Sequence, residues 1–263
     1  MWTPEVSFDV WRRDTADRFP LAIAVGAILI VFSAVAFAIY SPMASSLDAI
    51  ASTFPEEILS IVGEVGPGGY VVSELFNVLG PLFLVAFALI IGSTLLAGEE
   101  EDGTMGLLLA HPVTRLKVVA AKCATLLAMV LIATTLFWIG VTLSAAYQEV
   151  DLDQGGIAAT CLHLLALSAC FGLIAVAAGA ATGRPGIAGA ISGTIAALSY
   201  LGASMLPLAG LERWAQFSPW YYYNGSEPLT NGLNPLHLAV LLGIAALAAV
   251  VAVLTFSRRD LRG

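Results

Sequence analysis

The sequence predicts an all-α polytopic membrane protein with six transmembrane helices and with both termini in the cytoplasm. Three observations support this fold class. First, 59% of the residues are hydrophobic and only 11% are charged, whereas soluble domains are about half apolar and about a quarter charged. Second, six segments are long and apolar enough to cross a bilayer, which takes roughly 20 such residues. Third, the Lys and Arg residues are distributed unequally between the two sides of this pattern.

The predicted spans and the charges between them set the orientation. The spans lie at about residues 20–40, 79–97, 119–146, 157–182, 187–209 and 236–256. Ten of the 11 Lys and Arg residues then fall on one side of the membrane, and only Arg213 falls on the other. Because basic residues accumulate in cytoplasmic loops, that side is predicted to be the cytoplasm. The whole chain, residues 1–263, is predicted to form one transmembrane domain in the plasma membrane.

Residues 1–19 are predicted to form an interfacial helix ahead of the first span. Phe8, Trp11 and Phe19 lie on one helical face and Arg12 lies on the other. This arrangement suits a helix that lies among lipid headgroups. A disordered polar leader is the alternative interpretation.

The first outer loop, about residues 41–78, contains no Lys or Arg. Its apolar residues recur at steps of three and four, which predicts a short amphipathic helix on the outer surface. Gly80 and Pro81 follow near the start of the second span. Proline there is expected to kink the helix or to set where it begins.

The fourth and fifth spans are rich in small residues. Gly179 and Gly183, and then Gly189 and Gly193, have the small-xxx-small spacing that permits close helix approach. Residues 184–186 predict a tight inner turn between these spans. The two spans are therefore expected to pack as an antiparallel hairpin within one subunit, and a dimer interface is the alternative.

The inner loop between the second and third spans, residues 98–122, carries the most specific functional signal. Four consecutive acids at 99–102 precede a short apolar turn at 105–110. Pro112 is expected to end this turn, and Thr114 is expected to cap the third span. The basic residues that follow are expected at the level of the headgroups. An apolar ridge rimmed by charge usually marks a binding surface.

The order of residues in this loop resembles the inner-loop signature of ABC-2-type exporter permeases. The matching positions are Glu101, Gly103, Thr104, Leu107, Leu108, Leu109, Pro112, Val113, Arg115 and Lys122. The resemblance implies that the loop is a coupling helix that docks on a separate ATP-binding-cassette ATPase subunit. The residues expected in that contact are Glu99, Glu100, Glu101, Gly103, Thr104, Leu107, Leu108, Leu109, Pro112 and Arg115. An ordinary charged loop with a lipid-facing turn is the alternative.

The last outer loop, about residues 210–235, is rich in aromatic residues. One interpretation is an aromatic belt at the membrane–water boundary. The resemblance implies a second, in which a partly re-entrant segment forms an outer gate. The residues expected in that gate are Pro219, Trp220, Tyr222 and Tyr223. Residues 224–226 also match the N-glycosylation acceptor pattern.

Several chemistries have no support in the sequence. No Asp, Glu or Arg lies in the middle of a predicted span, and Lys122 lies at the start of one. Carriers driven by protons or ions usually place ionisable groups at membrane depth, so secondary transport is not favoured. His163 is expected to form a hydrogen bond between helices. The chain has no P-loop, no catalytic or metal-binding motif, and no basic patch suited to nucleic acid.

The sequence therefore predicts a permease subunit without an ATPase site of its own. It is expected to bind no cofactor directly, and ATP would be used by the partner ATPase subunit. A second permease protomer, identical or related, is expected to complete an exporter within the lipid bilayer. The alternatives are a membrane assembly or structural factor that recruits an ATPase, and an uncoupled channel or secondary carrier.

Overall fold

The computed structural model describes residues 5–51, 69–106, 114–150 and 152–259. These residues are mainly helical and include no β-strand. Six of their helical segments are long and apolar enough to cross a membrane. The predicted all-α fold with six spans is therefore confirmed.

The helices follow one another along the chain with short connections. In order they are α1 (Glu5–Ala51), α2 (Gly69–Glu74), α3 (Gly80–Leu95), α4 (Ala97–Glu101), α5 (Arg115–Tyr147), α6 (Gln154–Thr182), α7 (Pro185–Met205), α8 (Glu212–Ala215), α9 (Pro219–Asn224), α10 (Pro228–Asn231) and α11 (Pro235–Arg258). A π-helical turn, Leu75–Leu79, joins α2 to α3, and a 3-10 turn, Pro207–Ala209, follows α7. The six spans correspond to α1, the π-helical turn with α3 and α4, and then α5, α6, α7 and α11.

Side-chain caps explain where three of the spans begin. The Thr114 hydroxyl accepts a hydrogen bond from the Lys117 backbone N–H at 3.4 Å, as the sequence predicts. Asp153 caps α6 and Asn234 caps α11 by accepting from the first backbone N–H groups of each helix. These donors have no partner within the helix, so a side-chain oxygen at this position stabilises the helix start.

Helix α6 is the centre of the bundle. Most of its residues are buried, and it packs against α11 and α3 and also contacts α7 and α5. Helix α1 packs mainly along α5. Helix α3 approaches α6 closely at Gly92, because a Cβ at that position would overlap the carbonyl oxygen of Gly172.

The glycines of the fourth and fifth spans do not pack those two helices together. Gly179 and Gly189 both face Ser93 of α3, and Gly193 has no atom within 4 Å of the position that a Cβ would occupy. Gly183, with φ +62°, forms the turn between α6 and α7. The predicted hairpin is present, but its small residues mainly serve contacts with the second span.

From Glu5 onward the N-terminal segment is helical, but it is continuous with the first span and not a separate helix. Its interfacial position stays a prediction. Helix α1 runs without a break from Glu5 to Ala51 and continues through Pro20. Arg18 donates a hydrogen bond to the Thr94 hydroxyl at 3.2 Å, which holds this part of the helix against α3. The amphipathic helix predicted in the first outer loop lies largely in residues 52–68, outside the described residues.

Candidate functional site

Two groups of described residues make contacts that bear on function, and they lie at opposite ends of the bundle. The end that contains α4, the start of α5 and the end of α11 carries buried ion pairs, and we call it the basic end. The opposite end contains α8, α9 and α10 with their aromatic side chains, and we call it the aromatic end. The predicted coupling loop belongs to the basic end, and the predicted gate segment belongs to the aromatic end.

Lys122 lies inside the basic end and joins three helices. Its side chain is fully buried. The ammonium lies 2.7 Å from a carboxylate oxygen of Asp14 in α1, and it also forms an ion pair with Glu99 in α4. The expected level of Lys122 at the headgroups stays a prediction, and its side chain faces other helices of the same chain. Two carboxylates compensate for its loss of water, without which a buried ammonium is strongly unfavourable.

Glu100, the next residue of α4, makes a second ion pair in a different direction. Its side chain is only 3% exposed, and it binds the Arg259 guanidinium just beyond α11. Gly183 lies against this pair, because a Cβ there would lie 2.5 Å from Arg259 Nη2 and 2.6 Å from Glu100 Oε2. The positive φ favours glycine at this position, and a larger residue would also displace the two ion-paired side chains.

Arg115 caps the end of the last span. Its guanidinium donates hydrogen bonds to the carbonyl oxygens of Phe256 at 2.9 Å, Ser257 at 3.3 Å and Arg259 at 2.8 Å. It also lies 5.9 Å from the centre of the Phe256 ring. The last carbonyls of a helix lack partners within the helix, and a positive charge is favourable there. Arg115 thereby links the start of α5 to the end of α11.

The predicted coupling residues fall into three groups. Glu99, Glu100 and Arg115 bind other parts of the same chain. The residues Glu101, Gly103 and Thr104 are exposed, and the Thr104 hydroxyl donates to the Glu99 carbonyl oxygen at 3.2 Å. The residues Leu107, Leu108, Leu109 and Pro112 lie outside the described residues.

At the aromatic end, Pro81 leaves a backbone carbonyl without its usual partner. In the π-helical turn, the Gly80 N–H bonds to the Leu75 carbonyl, so it does not serve Phe76 as it would in an α-helix. The next N–H along the chain would belong to Pro81, which has none. The Phe76 carbonyl thus needs a donor from elsewhere, because an unpaired backbone group in an apolar region is costly.

Tyr223 of α9 supplies this donor. Its hydroxyl donates to the Phe76 carbonyl oxygen at 2.6 Å, and the side chain is only 1% exposed. Tyr223 lies outside the six spans, and burial raises the pKa of its phenol well above the ordinary value. The hydroxyl therefore keeps its proton and can act as the donor. This hydrogen bond fixes α9 to the start of the second span.

Other contacts of α9 hold it inside the bundle. Ser218 caps α9, and its hydroxyl donates to the Ser199 carbonyl oxygen of α7 at 2.7 Å. The indole N–H of Trp220 donates to the Ala196 carbonyl oxygen at 3.3 Å. Pro219, Trp220 and Tyr223 are buried, and Tyr222 is half-buried against His237. By contrast, Trp214 and Phe217 are 60% and 82% exposed, so the aromatic segment has an inner and an outer part.

Two cavities lie beside α9. The larger, of about 380 Å³, lies between α3 and α7, and its lining is mainly apolar, with Tyr200 and Trp220 among the lining residues. The smaller, of about 260 Å³, is lined by Phe76, Tyr223 and residues of α10 together with polar side chains such as Glu227. Trp220 thus lines the more apolar of two neighbouring spaces, and Tyr223 lines the more polar one.

His163 does not make the expected hydrogen bond between helices. It is fully buried in α6, and its Nδ1 donates to the Ala159 carbonyl oxygen of the same helix at 2.9 Å. Its Nε2 has no hydrogen-bond partner within the part of the chain that the structure describes. Within that same part, no group of three His, Cys, Asp or Glu side chains is suited to a metal ion.

Comparison with known proteins identifies the family of the chain. A family model described as "ABC-2 family transporter protein" matches residues 17–261. The matched region contains most of α1, the residues of the basic end except Asp14, and all of the aromatic end. No curated protein matches the sequence.

Proposed function

The chain belongs to the ABC-2 transporter family, and on this premise we propose that it is the permease subunit of an ATP-driven exporter. It is a multi-pass membrane protein, and its family consists of membrane transport subunits that normally work with an ATPase subunit. In our proposal this subunit binds the loop after α4. A second permease protomer, either identical or related, completes the transporter in the plasma membrane.

The proposed orientation places the basic end in the cytoplasm. The distribution of Lys and Arg supports it, since ten of 11 fall on that side and basic residues accumulate in cytoplasmic loops. An ATPase subunit would then approach the loop that contains Glu101 and Thr104. ATP would be bound and hydrolysed by that subunit.

The observation that carries the proposed coupling is the contrast along α4 and its loop. Glu99 and Glu100 are fixed inward by ion pairs, whereas Glu101 to Thr104 are exposed immediately afterwards. A docking element needs both a base that is held rigidly and a surface that a partner can reach. In this chain the rigidly held residues, 99 and 100, are followed directly by the exposed residues, 101 to 104.

The cavity between α3 and α7 supports a proposed class of cargo. Its lining is mainly apolar and contains no charged side chain among the described residues. Such a surface suits an amphipathic or lipid-like molecule better than an inorganic ion. Pro219, Trp220, Tyr222 and Tyr223 would form the outer gate above this cavity.

A single substitution in the apolar ridge tests the ATPase contact. Leu108→Asp is expected to weaken binding of the ATPase subunit about 10-fold or more, because burying a leucine contributes about 1.5–3 kcal/mol. Binding can be measured with purified subunits by titration. The matched control is Leu208→Asp, since Leu208 is 81% exposed at the aromatic end. Equal ATPase binding by both variants would contradict the proposed contact.

Reconstitution separates the exporter from its alternatives. The purified permease and its ATPase subunit are placed in liposomes with a fluorescent short-chain lipid as the probe. We expect probe movement only when both subunits and hydrolysable ATP are present. An assembly factor would bind the ATPase without moving the probe. A channel or secondary carrier would move its cargo without ATP.

A further inference from the structure

We infer that Lys122 and Arg259 are positioning residues that transmit movement of α4 to opposite sides of the bundle, an inference that rests on the proposed ATPase coupling. The two residues take no part in docking and touch no cargo. Each instead binds one of two neighbouring glutamates in α4. Through these two ion pairs, a movement of α4 is passed on to several spans at once.

The first branch runs through Glu99. This carboxylate binds Lys122 of α5, and Lys122 binds Asp14 of α1 at 2.7 Å. Near this branch, Arg18 of α1 donates to Thr94 in α3 at 3.2 Å. A displacement of α4 therefore acts on the first and third spans through the same buried ammonium.

The second branch runs through Glu100. This carboxylate binds Arg259, whose own backbone carbonyl accepts a hydrogen bond from Arg115 at 2.8 Å. Arg115 also holds the carbonyls of Phe256 and Ser257 at the end of α11. Gly183 lies against the ion pair at the turn between α6 and α7. The same displacement thus reaches the last span and this turn.

The geometry of a helix explains why neighbouring residues serve different branches. Successive residues of an α-helix point about 100° apart, so Glu99 and Glu100 face different neighbours. Both are held by partners of opposite charge in surroundings with little water. Pulling such a pair apart leaves a buried charge without compensation. Helix α4 therefore moves together with α1, α5 and the end of α11, and not independently of them.

Two glutamine variants test this inference. Glu99→Gln and Glu100→Gln keep the shape of each side chain and remove its charge. Because both side chains face inward, we expect ATPase-subunit affinity to stay within about twofold of the parent. We expect the number of cargo molecules moved per ATP hydrolysed to fall at least about fivefold, a quantity that a purely stabilising role would leave unchanged. Asp17→Asn is the control, since the Asp17 side chain is 71% exposed at the same end.

A charge exchange provides the second measurement. Glu100→Arg combined with Arg259→Glu restores an ion pair with reversed polarity, and we expect it to recover at least half of the transport per ATP. If the glutamine variants cannot be recovered from membranes, Glu99→Asp keeps the charge but shortens the side chain. We expect that variant to bind the ATPase normally and to lose about half of its transport per ATP.

The outcomes distinguish this inference from the proposed function. If the unmodified permease binds no ATPase subunit, the proposed function fails. If the glutamine variants bind the ATPase and keep the parental transport per ATP, the inference is wrong and the ion pairs only stabilise the fold. If they lose affinity for the ATPase, Glu99 and Glu100 act in docking and the inference is also wrong.

Discussion

Gly92→Ala is expected to disrupt the packing of the second and fourth spans. A Cβ at this position would overlap the backbone carbonyl oxygen of Gly172 and would lie 2.9 Å from the Cβ of Ala175. The obstacle is backbone, so no rotamer change can relieve it, and α3 must move away from the central helix. Overpacking of this kind costs about 1–3 kcal/mol. Thermal unfolding in detergent should show a lower midpoint, and a smaller fraction of the protein should elute as a single species.

The same change in α7 is the control for this prediction. Gly193 also lies within a span, but a Cβ there has no neighbour within 4 Å. Gly193→Ala is therefore expected to leave the unfolding midpoint unchanged or to raise it, because alanine is favoured over glycine inside a helix by about 1 kcal/mol. Equal midpoints for the two variants would show that the contact between α3 and α6 is looser than described.

Tyr223→Phe is expected to release α9 from the second span. The substitution keeps the ring but removes the hydroxyl that donates to the Phe76 carbonyl at 2.6 Å. A buried acceptor left without a donor costs about 1–3 kcal/mol. We expect a lower unfolding midpoint and, if α9 is the outer gate, leakage of probe from liposomes in the absence of ATP. Tyr221→Phe is the control, since Tyr221 lies in the same helix and packs through its ring against Tyr222 and His237.

A second substitution tests the cause of this effect. Pro81→Ala gives the Phe76 carbonyl a backbone donor, which is the restored N–H at position 81 if the turn stays π-helical and the Gly80 N–H if the turn becomes α-helical. In that background, Tyr223→Phe should cost less than about 0.5 kcal/mol, so the two changes are non-additive. If Tyr223→Phe costs the same with and without Pro81, the missing proline donor is not what makes Tyr223 necessary.

Hydropathy and local capping predicted much of the fold. The six spans could be located because each one must be apolar along about 20 residues whatever its neighbours are. The Thr114 cap could be predicted because it depends only on residues within one turn. The effect of Pro81 could be anticipated for the same reason, although only the structure shows that it takes the form of a π-helical turn.

Contacts between distant residues could not be predicted in this way. The burial of Lys122 was not anticipated, because the two carboxylates that allow it, on Asp14 and Glu99, are distant in the sequence. Arg115 was expected to face a partner subunit, but it also binds the end of α11, more than 140 residues away. Its role in the ATPase contact stays a prediction. Lys122 lies five residues beyond Lys117 and therefore on a different face of α5, which is the signal that could have suggested an internal role.

The glycine pattern shows a related limit. Small-xxx-small spacing indicates that a helix can be approached closely, but it does not identify the helix that approaches. Gly179 and Gly189 were assigned to the hairpin of α6 and α7, yet both face Ser93 of α3. The choice of partner depends on where the second span lies in the bundle, which local spacing does not encode.

The burial of the Lys122 ammonium has a consequence for ionic strength. Mobile ions screen the attraction between solvent-exposed charges over about 8 Å in physiological salt and over about 3 Å in molar salt, but they screen buried pairs much less. The Lys122 side chain is fully shielded from solvent, with Asp14 13% and Glu99 24% exposed. Molar potassium chloride should therefore disrupt the exposed pair of Arg13 and Asp17. The ion pairs of Lys122 with Asp14 and Glu99, which join α1, α4 and α5, should persist.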